Sequence, residues 1–330
     1  MQDKYISKNI KSIFPIKNEF FISWHVTGWC NFHCSFCVSA RDRTPFTSIA
    51  KVNNIAEKLN EFILTNVPEE TPVSLRLFGG EPSFYNWTEI LNKIKHLNKV
   101  SMPTNFSNNL EYYKDLYKYL SNRHITLVLN CAKHDEEKGF DTKIIQLTNW
   151  CKENNFREPI VTYVVNNDFD FSQVEALANS GIRRLKLSIE RDIYGTNLTL
   201  DPEVIDKIAY WNNRYESIAT GKTLHIDFES GASEEYTNRM DFTNKMVDGG
   251  FDPQGYYCNT GMNNICLWEN GDVIYNRCEF MRDKKIGNIL TDDIKLLKKP
   301  IICNINLNST SNNKCHLCHN TRISKDINLI

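Results

Sequence analysis

Cys30, Cys34 and Cys37 form a C-x3-C-x2-C run within Gly28-Trp29-Cys30-Asn31-Phe32-His33-Cys34-Ser35-Phe36-Cys37. Three thiolates on one short loop can hold three irons of a 4Fe–4S cube. No fourth cysteine lies nearby, so one iron would lack a protein ligand. Clusters that only transfer electrons usually have four cysteine ligands, whereas an open iron can bind a cofactor or substrate directly. The alternatives are a zinc site or three unrelated buried thiols, although zinc knuckles usually pair C-x2-C with a second Cys/His pair. A second candidate is Leu77-Phe78-Gly79-Gly80-Glu81-Pro82. Glycine lets backbone approach a ligand without a Cβ clash, and proline fixes the exit of the turn. Bare carbonyls beside a carboxylate form a receptor for an ammonium group. The alternative there is an ordinary βα turn. The third group is late in the chain: Cys258, Cys266, Cys278, Cys303, Cys315 and Cys318. Cysteines flanking a hairpin, followed by C-x2-C, suit an iron–sulfur cluster or tetrahedral zinc.

These residues need elements to hold them. Strands are predicted over 20–27, 73–78, 99–103, 125–131, 160–166, 183–189 and 224–228. Helical spacing of apolar residues covers 49–67, where Ile55, Leu59, Phe62 and Ile63 share a face, and also 87–97, 110–120 and 142–154. Residues 172–181 read as a short helix with a serine N-cap and a glycine stop. Strand and helix in alternation argue for parallel βα units, curled into an open or closed barrel. Chemistry on such a scaffold gathers at the C-terminal ends of strands, and both early motifs fall there. Residues 248–255 are a turn-rich break. Beyond it, 265–269 and 272–275 flank Asn270-Gly271, a type I′ hairpin signal. The organisation expected is a lead-in (1–19), an α/β barrel (20–249) and a small cysteine-rich extension (250–330).

The chain has 330 residues, ample for a buried core, and a formal net charge of −1 from Lys+Arg 39 against Asp+Glu 40. That balance gives no reason to expect nucleic acid or an anionic membrane as partner. The N-terminus has no apolar signal core, and no stretch reaches the ~18 apolar residues of a membrane helix. A soluble, cytoplasmic protein is expected. Eleven cysteines without an export signal point to metal ligands rather than disulfides.

The cysteine loop and the Gly-Gly-Glu-Pro turn, in this order and one βα unit apart, resemble those of the radical S-adenosylmethionine (SAM) superfamily. The resemblance implies a partial (β/α)6 barrel whose open iron chelates the amino and carboxylate groups of SAM. An aromatic residue precedes the third cysteine in that family, as Phe36 does here. It implies that Gly79, Gly80 and Glu81 hold the SAM amino group, and that Thr104-Asn105 matches the family's Thr-Asn turn. Asn130 ends the fourth strand, where relatives place a polar residue near SAM or substrate. Lys186, Ser188 and Arg191 lie on or after the sixth strand, where a cation can pair with the SAM carboxylate; solvated side chains are the alternative. The late cysteines resemble the SPASM/Twitch extension. No cysteine follows Cys318, so the shorter Twitch type fits better, with one auxiliary 4Fe–4S cluster on Cys258, Cys278, Cys315 and Cys318. Cys303 is a substitute ligand or a hydrogen-atom donor, and Cys266 a small buried hydrophobe. Cys131 and Cys151 are assigned to packing, and His316 and His319 to solvent.

The function implied is reductive cleavage of SAM to a 5′-deoxyadenosyl radical, which takes hydrogen from a peptide or protein side chain. An electron donor such as flavodoxin or ferredoxin is implied as partner. Only 19 residues precede the first predicted strand, so a peptide-binding domain ahead of the barrel is not expected. One alternative is a small-molecule dehydrogenase acting on a sugar or aminocyclitol alcohol. Another, from a different class, is a non-catalytic zinc-binding interaction module.

Overall fold

The computed structural model describes residues 19–35, 37, 43–133, 139–190, 200–204, 206–208, 210–211, 255, 257–275, 284–302 and 323–324. Six parallel strands run in chain order: β1 (Phe20–Thr27), β2 (Val73–Gly79), β3 (Lys99–Thr104), β4 (Thr126–Ala132), β5 (Ile160–Val165) and β6 (Leu185–Ile189). Helices α1 (Ile49–Asn66), α2 (Trp87–Leu91), α3 (Leu110–Asn122), α4 (Phe140–Glu153) and α5 (Ser172–Asn179) connect them. This is the parallel α/β arrangement that the alternation predicts, with the open sheet of the partial barrel that the resemblance implies. The predicted strand at 224–228 and the break at 248–255 lie outside the described residues, except for Gly255.

One face of every parallel strand builds the main core. Ile22, Trp24 and Val26 of β1, Leu75 and Leu77 of β2, Leu129 and Cys131 of β4, and Leu185 and Leu187 of β6 are buried against the helices. The period-2 alternation of a strand puts the residues between them on the other face. There stand Ser23, His25 and Thr27 of β1, Asn130 of β4, and Lys186 and Ser188 of β6. Trp24 packs edge-on against Trp87 at 5.8 Å, which ties β1 to α2.

Two helices depart from their predicted bounds for local reasons. Helix α2 stops at Leu91 instead of residue 97. The Arg123 guanidinium donates to the carbonyls of Leu91 (2.6 Å) and Ile94 (2.7 Å), replacing the amides a continuing helix would supply. Ser172 is the first residue of α5 and not its cap. The Asp170 carboxylate accepts the Ser172 amide at 2.9 Å and its hydroxyl at 2.7 Å.

The C-terminal hairpin joins the barrel's own sheet. Strand β8 (Asn264–Leu267) pairs parallel with β1, from Phe21↔Asn264 to Trp24↔Leu267. Strands β9 (Asp272–Tyr275) and β10 (Lys285–Asn288) follow antiparallel, giving a nine-stranded order β10-β9-β8-β1-β2-β3-β4-β5-β6. The turn between β8 and β9 is not the predicted two-residue type I′. Gly271 has φ +92°, but Asn270 is not among the residues with positive φ, which type I′ requires at both centres. Trp268 and Asp272 close the loop, the Trp268 amide donating to the Asp272 carbonyl at 2.8 Å, and Glu269, Asn270 and Gly271 lie between. A second, three-stranded sheet has β7 (Tyr257–Cys258) between β11 (Ile301–Ile302) and β12 (Ile323–Ser324).

Candidate functional site

The cysteine loop leaves the C-terminal end of β1, and the Gly-Gly turn leaves β2 beside it. Parallel pairing of β1 with β2 brings these two exits together, ending in Thr27↔Gly79. The two loops then dock backbone to backbone. The Gly80 amide donates to the Thr27 carbonyl at 2.6 Å, and the Glu81 amide to the Trp29 carbonyl at 2.8 Å. A Cβ on Gly79 would lie 2.2 Å from the Thr27 oxygen, and one on Gly80 would lie 1.8 Å from the Trp29 oxygen. Gly79 also has φ +136°, a region that side chains avoid. The close approach these glycines permit is therefore first to the cysteine loop itself, and not only to a ligand as the sequence suggests.

Glu81 is 1% exposed, and its carboxylate is occupied within the chain. One oxygen accepts from the Ser83 amide (2.8 Å) and the Thr104 hydroxyl (2.7 Å); the other accepts from the Asn105 amide (2.6 Å). Burial raises its pKa, and these hydrogen bonds oppose the rise. Glu81 thus fastens the end of β3 to the Gly-Gly turn.

Asn105 carries the connection onward. Its side-chain NH2 donates to Asn31 Oδ1 at 2.7 Å and lies 3.7 Å from Cys30 Sγ. The following residue, Phe106, is fully buried at φ +61°. That backbone is strained for a bulky residue, and such strain concentrates at functional turns. Thr104 accepts the Phe106 amide at 3.0 Å, which holds the turn in place.

Cys30, Cys34 and Cys37 face one cavity of about 180 Å³, lined also by Gly28, Phe32, Arg43, Gly80, Glu81, Pro103, Thr104, Asn105 and Ala132. Burial raises the Cys30 thiol, while the Phe32 amide, 3.4 Å from its sulfur, and Asn105 favour the thiolate. Amide donors aimed at sulfur are the kind of environment that tunes cluster thiolates. Among the described residues, no three potential ligands converge as they would on a single metal ion. A cube takes one thiolate per iron, and three cysteines facing one cavity supply the donor chemistry that such a group needs.

Of the other sequence candidates, Phe36 lies outside the described residues. Gly79 sits under the loop, but Asn130, Lys186 and Ser188 do not line this cavity. Asn130 accepts a hydrogen bond from the Thr162 hydroxyl at 2.5 Å. Ser188 is buried and Lys186 half-buried on the same sheet face. Cys131 and Cys151 are fully buried in the helix-side core, where burial pushes the Cys151 thiol up to about 12. Cys266 is buried beside Phe78 and Ile274. The seven described cysteines form no disulfide. Cys258 is buried at the centre of the three-stranded sheet, opposite both Ile301 and Ile323. Cys278, Cys303, Cys315 and Cys318, with His316, His319 and Arg191, lie outside the described residues. Asn31 and Arg43 were not singled out by the sequence; Asn31 is met by Asn105 from a distant turn, and Arg43 donates to the Phe32 carbonyl across the loop at 3.1 Å, and no spacing announces either contact.

This fold is shared with solved structures of other proteins. Comparison with solved structures finds anSMEcpe with bound AdoMet, at 15% identity and TM-score 0.50, the match covering 82% of this chain and 78% of that one. SuiB from Streptococcus suis matches at 17% identity and TM-score 0.53, covering 84% of this chain and 64% of SuiB. SuiB has also been solved with the precursor peptide SuiA, a match of 16% identity and TM-score 0.52. The chain thus spans less than two thirds of SuiB. No family model matches the sequence, and no curated protein matches it. No helix among the described residues is long and apolar enough to cross a membrane.

Proposed function

We propose that this chain is a radical SAM enzyme that takes a hydrogen atom from a peptide or protein side chain. The observation that carries the reading is the shared cavity. Three cysteines from one loop face the same space as the Gly-Gly-Glu turn and the Asn105 turn. A 4Fe–4S cluster held there by Cys30, Cys34 and Cys37 would leave one iron for SAM and would supply the electron whose transfer to the sulfonium breaks the C5′–S bond, giving methionine and a 5′-deoxyadenosyl radical. The chain's residues do the rest. Cys30, Cys34 and Cys37 hold the cluster. Gly79 and Gly80 let the turn lie against the loop, where its bare backbone can receive the SAM ammonium. Glu81 and Asn105 keep these loops in register. Asn130, Lys186 and Ser188 face the barrel interior, where SAM and substrate would bind. An external one-electron donor, of the flavodoxin or ferredoxin kind, restores the reduced cluster.

A peptide substrate is supported by the fold shared with SuiB, which has been captured with a precursor peptide. We further propose an auxiliary cluster on Cys258, Cys278, Cys315 and Cys318. It is supported by β12, which follows Cys315 and Cys318 in the chain and pairs with the strand that carries Cys258.

The test is anaerobic reconstitution with iron and sulfide, followed by SAM and a strong reductant. The parent chain is expected to turn brown and release 5′-deoxyadenosine. The combined Cys30→Ala, Cys34→Ala, Cys37→Ala variant should release none above background. A colourless, zinc-loaded protein that leaves SAM intact would overturn the proposal.

A further inference from the structure

The cysteine loop has an outer side as well as an inner one. A second space of about 450 Å³ opens on it, lined by Trp29, Cys30, Asn31, His33, Arg43 and Thr44. Gly28, Cys30 and Arg43 line both this space and the cysteine cavity, so the loop stands between them as a thin wall. Trp29 continues the outer space into an apolar surface. Its ring meets Phe84 edge-on at 4.8 Å and Phe46 edge-on at 5.8 Å. Phe46 and Phe84 are 40% and 42% exposed, the most exposed phenylalanines among the described residues, and both lie on Trp29. Apolar rings gathered in this way, rather than scattered, mark an interaction surface. The surface is held from beneath. Phe46 stacks on the buried Tyr85 ring at 4.9 Å, and the Tyr85 hydroxyl donates to the Thr47 carbonyl at 2.8 Å. Its rim is cationic. Arg43 and His33 are exposed at the outer space, and among the described residues no carboxylate lines it. Helix α1 starts just after Phe46, with Lys51 and no acidic residue in its first turn, so the positive end of the helix adds to the rim.

We propose that the Trp29, Phe46 and Phe84 surface is where an acidic one-electron carrier protein docks to reduce the cluster. The inference rests on the proposed function for the need of an electron; the surface itself is a property of the unloaded chain. Electron transfer weakens steeply with distance, and Trp29 is the chain neighbour of Cys30. A carrier seated on Trp29 is therefore one peptide bond from a thiolate that would hold iron, and it leaves the barrel interior clear for substrate. The carrier loses one electron and the cluster gains one, with no bond made or broken. A cationic rim steers an acidic partner and fixes its register. A second copy of the chain, meeting this surface through its own, would set cation against cation.

The test begins without a cluster. The apo chain carrying Phe84→p-benzoylphenylalanine is irradiated with an oxidised flavodoxin or a 2Fe–2S ferredoxin, and should cross-link to the carrier. Cross-linking only to a second copy, only within the chain, or to neither carrier would overturn the proposal. In the reconstituted chain, SAM cleavage driven by the reduced carrier is then compared with cleavage driven by dithionite. Phe84→Glu should raise the carrier concentration for half-maximal rate by about tenfold or more, as loss of an aromatic anchor does. Added salt should raise that concentration in the parent, because the rim charges are screened. The dithionite-driven rate of Phe84→Glu should stay that of the parent. If Phe84→Glu does not fold, Phe84→Ser takes its place. A parent-like carrier response in the variant would overturn the proposal, as would an equal fall with both reductants. A parent chain that cleaves no SAM with dithionite would overturn the proposed function and leave the cross-link standing.

Discussion

A buried carboxylate ringed by donors behaves like a piece of backbone. Glu81 takes one donor from its own turn and two from the turn after β3, and these oppose the cost of burying its charge. Glu81→Gln keeps the shape but turns one acceptor into a donor facing the Asn105 amide or the Thr104 hydroxyl. The expected cost is about 1–3 kcal/mol, because a buried donor loses its partner. Chemical denaturation of the apo chain measures it. The need for Gly79 and Gly80 was legible in the sequence, since two consecutive glycines before a Glu-Pro announce a close approach. What they approach was not legible. The carbonyls of Thr27 and Trp29 are fifty residues away, and only strand pairing puts them there. The Asn105–Asn31 bond was hidden for the same reason, as was the strained Phe106.

At the scale of elements, the hairpin has its own electrostatic fastening. Asp272 opens β9 and lies 2.7 Å from Lys285 Nζ on β10. Asn288 Nδ2 (3.0 Å) and Asn270 Nδ2 (2.8 Å) also reach its carboxylate. Burial opposes ionisation, yet Lys285, Asn288 and Asn270 hold Asp272 below the usual carboxylate range. A carboxyl with a depressed folded pKa adds stability that is present above its unfolded pKa. That stability is lost as pH falls through the folded value. Asp272→Asn should therefore cost up to about 1 kcal/mol near neutral pH, a limit set by the exposed Lys285. The difference should vanish in acid, below both pKa values, when thermal melts of parent and variant are compared across pH. Strands and helices were largely readable from apolar periodicity, and β1 falls on its predicted bounds. Helix α2 was overread because Arg123 caps its carbonyls from the next βα unit. The hairpin turn was misread because Asn-Gly fits more than one loop length.

For the whole molecule, the proposed cofactor content is the decisive measurement. A chain with both clusters should hold about eight irons after reconstitution, four in each cube. The triple variant at Cys30, Cys34 and Cys37 should keep about half, since the two ligand sets are separate. Zinc in the C-terminal part, or about twelve irons per chain, would show that the single auxiliary cluster is wrong. The sequence announced a late cysteine-rich unit but not its attachment. Nothing in residues 264–267 says that they will extend the sheet beyond β1, because a short apolar strand pairs with whatever edge the fold leaves open.

That attachment also bears on the order of assembly. Among the described strands β1 comes first in the chain, and its partner β2 is the next to be made. The other edge of β1 stays unsatisfied until β8 arrives, most of the chain later. In the meantime β1 is an apolar strand with a bare row of amides and carbonyls, the kind of edge that seeds association between chains. Contacts so far apart in the chain also close slowly. Among the described strands, the one that places the cysteine loop is thus made before its β8 neighbour by most of the sheet, so the loop takes its final setting only when that late strand has joined.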